Sequence, residues 1–342
     1  MIKFQQQDIS LESQWRAIIL FGRNTATYKF AFAKSLLQLI NNETIKISLE
    51  ELSKPFADNL ISHLRINDKQ GSNASSQLLD SCRRYLNDDL TINQVYDITQ
   101  KIGFKDVLDA FHTVNGAKIT SLFYEKDYSR NKKEIVITDN LLELKNSFHL
   151  KNFEQEVEAR WNLVESAWNL KVNPNLLEVK YDSEASLFFI KENQAMRRIN
   201  ITSVRDALNG YQKGKCFYSF QDISIAHLDP HICQVDHFLP HANKLFHQKE
   251  GANINGVWNL VLADPEINRH KGKRIPEVKF LERLYNRNEF YIESKHPLAE
   301  TIVNQTGNTP GKRRSFLYKQ YQVAENFSFP PWKPAIENQG NF

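Results

Sequence analysis

Apolar residues recur three and four positions apart through most of the first hundred residues, a spacing that predicts a run of helices. Residues 14–21 make an apolar-rich start, which Gly22, Arg23 and Asn24 interrupt as a helix-breaking turn. Residues 27–40 place Tyr28, Phe32, Ser35, Leu36 and Leu39 at helical spacing. Ser48 followed by Glu51 has capping-box character, and 76–86 and 91–102 continue the helical series. The aromatic and leucine faces of these helices read as core.

The period changes near the centre. Residues 117–124 and 134–138 alternate or run apolar around the charged stretch 125–133, the pattern of a hairpin with a charged loop. Residues 153–170 form an amphipathic helix carrying Trp161 and Trp168, 177–181 and 186–190 resemble another strand pair, and 204–212 a short helix. Asn259 to Ala263 is a short apolar strand that runs into a strong helix start: Asp264 suits the N-cap, Pro265 the first helical position and Glu266 the first turn. Helices at 276–286, 297–305 and 311–324 come after it. The tail with Pro330, Pro331 and Pro334 reads as extended or disordered at its end. The expected class is α+β. Its parts are a helix-rich domain with a central mixed segment over 1–200, a second domain over 201–326, and an extended tail over 327–342.

Composition narrows the class. The 342 residues can bury a sizeable core in two domains, and 41% hydrophobic with 25% charged residues is ordinary for a soluble globular protein. No apolar run reaches the roughly 18 residues of a membrane span, and the first residues lack a signal-peptide apolar core. Three cysteines without paired spacing, Cys82, Cys216 and Cys233, argue against a disulfide scaffold and for a reducing compartment, so a cytoplasmic location is expected. Net charge is +4, but residues 196–320 hold nineteen Lys and Arg against twelve Asp and Glu, and the remainder is therefore slightly acidic. A positive excess in that half is the electrostatic footprint of a polyanionic substrate.

That half also holds the candidate chemistry. Val235-Asp236-His237-Phe238-Leu239-Pro240 sets a carboxylate beside an imidazole; Asn259 and Asn268 come later, nine positions apart, then Lys271, Lys273 and Arg274. Polar residues thus fall at the ends of a strand, loop, strand and helix. The arrangement resembles the HNH (His-Me finger) endonuclease motif in its Asp-His…Asn…Asn form, over roughly residues 213–275. The resemblance implies a β-hairpin packed on a helix around one divalent cation, Mg²⁺ or Mn²⁺. By that resemblance His237 is the general base, Asp236 and Asn268 are metal ligands, and Asn259 orients His237 or braces the loop. Lys271 would be a phosphate contact, with His270, Lys273, Arg274 and the Lys312-Arg313-Arg314 cluster as further nucleic-acid contacts. An imidazole with an ordinary pKa near 6.5 is a competent base at neutral pH, and a hard cation supplies Lewis acidity.

The resemblance further implies cleavage of nucleic acid, DNA by analogy, leaving 5′-phosphate and 3′-hydroxyl ends. The opening Trp15-Arg16-Ala17 to Asn24 resembles that of bacterial HNH proteins, which restriction and phage-defence systems often contain, so such a role is expected, with a protein partner for the amino-terminal domain. Two alternatives stand beside it: a partner-regulated effector, and a non-catalytic nucleic-acid-binding module on the same scaffold. Many HNH domains bind a structural zinc through two Cys-x-x-Cys pairs. Here Cys216 stands alone, and Asp264 and Ile267 occupy the second pair's positions. Packing of Phe217, Tyr218, Phe220, Phe238, Leu239 and Trp258 is expected to take the metal's place; a mixed site of Cys216, Cys233, His227 and His231 is the alternative. His241 could reach the active site, while His227, His231 and His247 otherwise read as surface residues.

Overall fold

Helical spacing becomes a helix where a cap fixes its start and an apolar face finds a partner. The computed structural model describes residues 9–21, 25–41, 43–72, 76–114, 116–128, 133–147, 149–169, 180–182, 187–191, 198–225, 229, 232–293, 296, 298–327 and 330–340. The interrupting residues 22–24 lie outside these. α1 (Leu11–Leu20) starts at Ser10, whose hydroxyl accepts from the Ser13 amide at 3.2 Å, and α2 (Tyr28–Leu39) is next. α3 (Leu49–Leu64) has the expected capping box: Ser48 Oγ accepts from the Glu51 amide, and the Glu51 carboxylate accepts from the Ser48 amide. α4 (Gln77–Leu86) and α5 (Ile92–Ile98) continue the series. Where the sequence predicts one helix over 91–102, the chain widens after α5 into a π-helical turn, Thr99–Gly103. The Thr99 hydroxyl there donates back to the Val95 carbonyl at 2.8 Å, the kind of bond that bends a helix.

The short α6 (Val107–Ala110) leads into β2 (Thr113–Val114) and β3 (Ala117–Lys118), a small antiparallel pair. β1 (Lys46–Ser48), β4 (Tyr124–Asp127) and β5 (Glu134–Ile137) form a sheet in the order β1-β5-β4. The expected hairpin therefore exists, but its first arm starts at Tyr124, because Ala117 and Lys118 pair backwards onto Thr113 and Val114. α7 (Asp139–Lys145) and α8 (Leu150–Asn169) complete this unit. Its core centres on Trp15, fully buried and edge-on to Phe111 and Phe123 at 5.8 and 5.4 Å. α8 brings Trp161 flat onto His63, 3.6 Å between ring centres, and Glu165, which accepts from His63, Asn67 and Gln70. A buried carboxylate with three donors is satisfied, so this knot holds α3 to α8 without a stranded charge.

The second unit opens on an antiparallel sheet, β6 (Lys180–Asp182), β7 (Leu187–Lys191) and β8 (Arg198–Ser203). Two of these strands match the expected pair; β8 is an addition. It runs straight into α9 (Val204–Gln212), which groups the sheet with the carboxy-terminal half of the chain. The chain accordingly divides into compact units 1–171 and 172–342, whereas the sequence pattern places the boundary at 200. β9 (Gln234–His237), α10 (Lys244–Lys249), β10 (Leu260–Ala263) and α11 (Pro265–Lys271) come next, then three helices, α12 (Val278–Glu293), α13 (Ala299–Thr306) and α14 (Pro310–Glu325). The chain is thus mixed helix and sheet, with two antiparallel strands and a helix in its carboxy-terminal half. Among the described residues no helix is long and apolar enough to cross a membrane.

The tail has anchors of its own. It is extended, but Trp332 bridges backbone groups on both sides of Pro276: its N–H donates to the Ile275 carbonyl at 2.7 Å and its carbonyl accepts from Glu277 at 2.8 Å. The indole is 5% exposed and stands edge-on to Tyr218 at 5.2 Å. Glu337 pairs with Arg283 and Lys279, and the Asn338 amide donates to Ser219. A proline-rich segment lacks the donors for regular structure, yet here Trp332, Glu337 and Asn338 each find a neighbour. Trp332→Ala should lower the stability of the second unit by about 3 kcal/mol, measured by urea unfolding; a change below about 0.5 kcal/mol would show the tail to be merely laid on the surface.

Candidate active site

The candidate site is built on a strand pair that is fixed from both edges. β9 and β10 pair antiparallel, with His237 opposite Leu260 and Asp236 opposite Val261. All four residues of β10 are buried. Its other edge is covered by a side chain: the Leu262 amide donates to Gln212 Oε1, and Gln212 Nε2 returns a bond to the Leu262 carbonyl, both at 2.8 Å. The buried Arg287 guanidinium donates to the carbonyls of Val257, Trp258 and Leu260, tying α12 to the start of β10. Unpaired backbone groups at a buried sheet edge are costly, so these side chains complete the ladder.

Successive residues of β9 face opposite ways. Gln234 and Asp236 face α11, where Asn268 and Lys271, three residues apart, share one side. Asn268 Nδ2 donates to Gln234 Oε1 at 2.8 Å. Lys271 Nζ lies 2.9 Å from Asp236 Oδ2 and 3.0 Å from Oδ1, and donates to the His237 carbonyl at 2.7 Å. Tyr218 Oη donates to the same carboxylate at 2.6 Å. Burial, then the Asp236 charge, pushes the Tyr218 phenol well above its ordinary range, so it remains a donor. α11 holds this face because Asp264 caps it, its Oδ1 accepting from the Glu266 and Ile267 amides, and because Gly272 leaves the helix at φ +55°.

His237 stands on the other side of the strand. Its Nε2 is 2.9 Å from Asn255 Oδ1, and since a carboxamide oxygen only accepts, Nε2 carries the proton and Nδ1 the lone pair. The His241 ring lies 5.2 Å away. Burial pulls the imidazole pKa below its usual 6.5; the Asn255 bond and Asp236 oppose this, and His241 and Lys271 add to it. The neutral ring is therefore favoured at pH 7. Asn255 is a residue that sequence reasoning missed. Its only local sign is the Asn253-Ile254-Asn255-Gly256 turn composition. Gly256 is required there, because a Cβ would come 2.5 Å from the Trp258 indole.

Several expected roles are redrawn by this geometry. Asn259 does not touch the imidazole: its Oδ1 accepts from the Leu239 amide, and its Nδ2 donates to the carbonyls of Leu239 and Ile254. It braces the loop, the second of the two roles expected for it. Lys271 is 1% exposed and paired with Asp236, so it is no surface phosphate contact. Arg313 is also buried, forked onto Glu289 at 2.6 Å, and Arg314 pairs with Glu282. Arg274 donates to the carbonyls of His270 and Lys271, capping α11, while His270, Lys273 and Lys312 stay exposed. His247, read as a surface residue, is buried with Nδ1 on Gln320 at 2.7 Å.

Metal chemistry can be weighed from the donors. Among the described residues no three His, Cys, Asp or Glu side chains converge. A cation here would take one carboxylate, Asp236, and the carboxamide oxygen of Asn268, with water and phosphate completing its shell. That hard-oxygen set fits Mg²⁺-type coordination. The side chains expected to pack around Cys216 are buried: Phe217, Tyr218, Phe238, Leu239 and Trp258 have no exposed surface and Phe220 very little. Cys216 and Cys233 are free and buried, and Cys216 Sγ accepts from the Asp264 amide at 3.4 Å. His227 and His231 lie outside the described residues.

Residues 216–277 match the family model described as HNH endonuclease, a stretch that contains every residue of the β9–α11 constellation. The likeness to HNH endonucleases covers this stretch of the chain; that family acts on nucleic acid and generally uses divalent metal ions. Comparisons with curated proteins and with solved structures found no match.

Two substitutions separate scaffold from chemistry. Asn259→Ala strands the Leu239 and Ile254 backbone groups and should cost about 2–3 kcal/mol of stability in urea. Lys271→Met leaves a buried carboxylate unpaired and should cost about 3–5 kcal/mol. A stable Lys271→Met protein with wild-type unfolding would overturn the structural role given to this ion pair.

Proposed function

We propose that the chain is a divalent-metal-dependent endonuclease in which His237 is the general base. The observation that carries this reading is the His237–Asn255 bond: with the proton on Nε2, Nδ1 is the nitrogen that would take a proton from water. Burial supports the role by keeping that nitrogen unprotonated near neutrality. Asp236 and Asn268 would hold the cation, Mg²⁺ or Mn²⁺, which when bound supplies Lewis acidity to the phosphoryl group. Lys271 and Tyr218 hold the Asp236 carboxylate in place. Asn259 keeps residues 239 and 254 together, and with them the loop that presents Asn255. His270, Lys273 and Lys312 are exposed and would face phosphates beyond the scissile one. The substrate we favour is DNA, and the setting a bacterial restriction or phage-defence nuclease.

A second reading is a nucleic-acid-binding module without hydrolysis. It is favoured by the carboxylate of Asp236, which already has an ammonium and a phenol as partners. Supercoiled plasmid, linear duplex, single-stranded DNA and RNA, each with Mg²⁺, Mn²⁺ or chelator, decide between them. Metal-dependent strand cleavage supports the nuclease; chelator-insensitive binding with no cleavage supports the module.

His237→Ala should reduce cleavage by about 10²–10⁴-fold while leaving the melting temperature and substrate affinity unchanged. Full activity in that variant would remove the assigned base. Because the neutral imidazole is the active form and its pKa is depressed, kcat/KM should rise with pH and level off at an apparent pKa below 6.5. Asn255→Leu removes an acceptor that favours the protonated ring. The limb should then move further to the acid side while the plateau falls; an unmoved limb would deny Asn255 its positioning role.

A further inference from the structure

The first unit, 1–171, holds a cavity of about 350 Å³ lined by the π-helical turn, α6 and the β4–β5 hairpin. Its floor is apolar: Leu49, Phe104 and Leu108 are all buried. Its walls are basic, with Lys101, Lys105, Lys126 and Lys133 against a single carboxylate, Asp109. Asp109 is taken by Lys126, and among the described residues no carboxylate pairs with the other three lysines. Tyr128, 45% exposed, also lines the cavity, with the ammonium groups of Lys126 and Lys133 each 5.8 Å from its ring centre.

These features belong together. Lysines on an ordinary solvated face spread over a convex surface, where water screens their repulsion. Here they ring one concavity with low-dielectric walls, which focuses their field and raises the local concentration of anions. Basic walls alone would suit any phosphate. The buried apolar floor and the half-exposed Tyr128 ring add a requirement for a flat, apolar-faced group beside the charge. The π-helical turn contributes to the arrangement: three of its residues, Gln100, Lys101 and Ile102, line the cavity. A volume near 350 Å³ sits at the small end of ligand pockets and excludes a duplex.

We propose that this cavity binds a mononucleotide, its phosphate held by Lys101, Lys105 and Lys133 and its base laid on Tyr128 above the apolar floor. The site is separate from the residues of the nuclease reading and does not depend on it. The test is calorimetric titration of the full-length His237→Ala protein, in EDTA, with ATP, AMP, inorganic phosphate and a single-stranded oligonucleotide. ATP and AMP should bind saturably at one site. Lys105→Glu combined with Lys133→Glu should weaken binding by about tenfold or more. Tyr128→Ala should also weaken it, and Tyr128→Phe should not. The substituted side chains are exposed, so circular dichroism should stay unchanged. Absence of nucleotide binding at millimolar concentration overturns the proposal, as does binding indifferent to the lysine and tyrosine changes. Phosphate binding as tightly as AMP removes the base-stacking component and overturns it too. An oligonucleotide that binds far more tightly than AMP through the same lysines overturns it by assigning the surface to a nucleic-acid track instead.

Discussion

A single ion pair organises the carboxy-terminal half: the Lys271 ammonium, without exposed surface, on the Asp236 carboxylate. Two charges withdrawn from water repay their desolvation only when geometry and extra hydrogen bonds satisfy them. Both conditions hold here. The ammonium reaches both carboxylate oxygens and the His237 carbonyl, and the phenol of Tyr218 donates to the same carboxylate. Helix α11 is thereby pinned to strand β9 at one defined register, and Asn268 is brought opposite Gln234. The support reaches outward as well. Tyr218 is packed edge-on by Trp332 and Phe280, so the tail and α12 both steady a residue that touches the carboxylate.

The same strand explains why neighbours in sequence have separate environments. Asp236 is turned into a polar, fully paired setting against α11, and His237 into the loop that carries Asn255 and His241. Alternation along β9 thus sets the paired carboxylate and the imidazole on two faces only one residue apart. Asn259 and Gly256 keep the loop in the shape this requires, the first by hydrogen bonds and the second by lacking a side chain.

The features legible in the sequence are the local ones. The capping box at Ser48 and Glu51, and the Asp264-Pro265-Glu266 helix start, involve partners within three residues. The stretch that carries the Asp-His…Asn…Asn spacing is the one the HNH endonuclease family model matches, because hairpin and helix lengths are local too. Burial of a charged side chain is not local, so Lys271 and Arg313 read as surface cations when each is paired inside the fold. Asn255 lies eighteen residues after His237, in a loop whose path no periodicity reports. The anchors of the tail are hidden from the sequence for a related reason. Its prolines and polar residues suggest disorder, yet its anchors are backbone groups at Ile275 and Glu277 and a charged partner at Arg283, supplied by elements more than fifty residues earlier.

The tight approach at Gly256 bears on how this module can diverge. A methyl group there would meet the Trp258 ring at 2.5 Å, and Trp258 is itself fully buried against Phe316. Drift at Gly256 alone is closed off, so across descendants of this sequence glycine should be kept wherever the indole is kept, and lost only where a smaller side chain has replaced it.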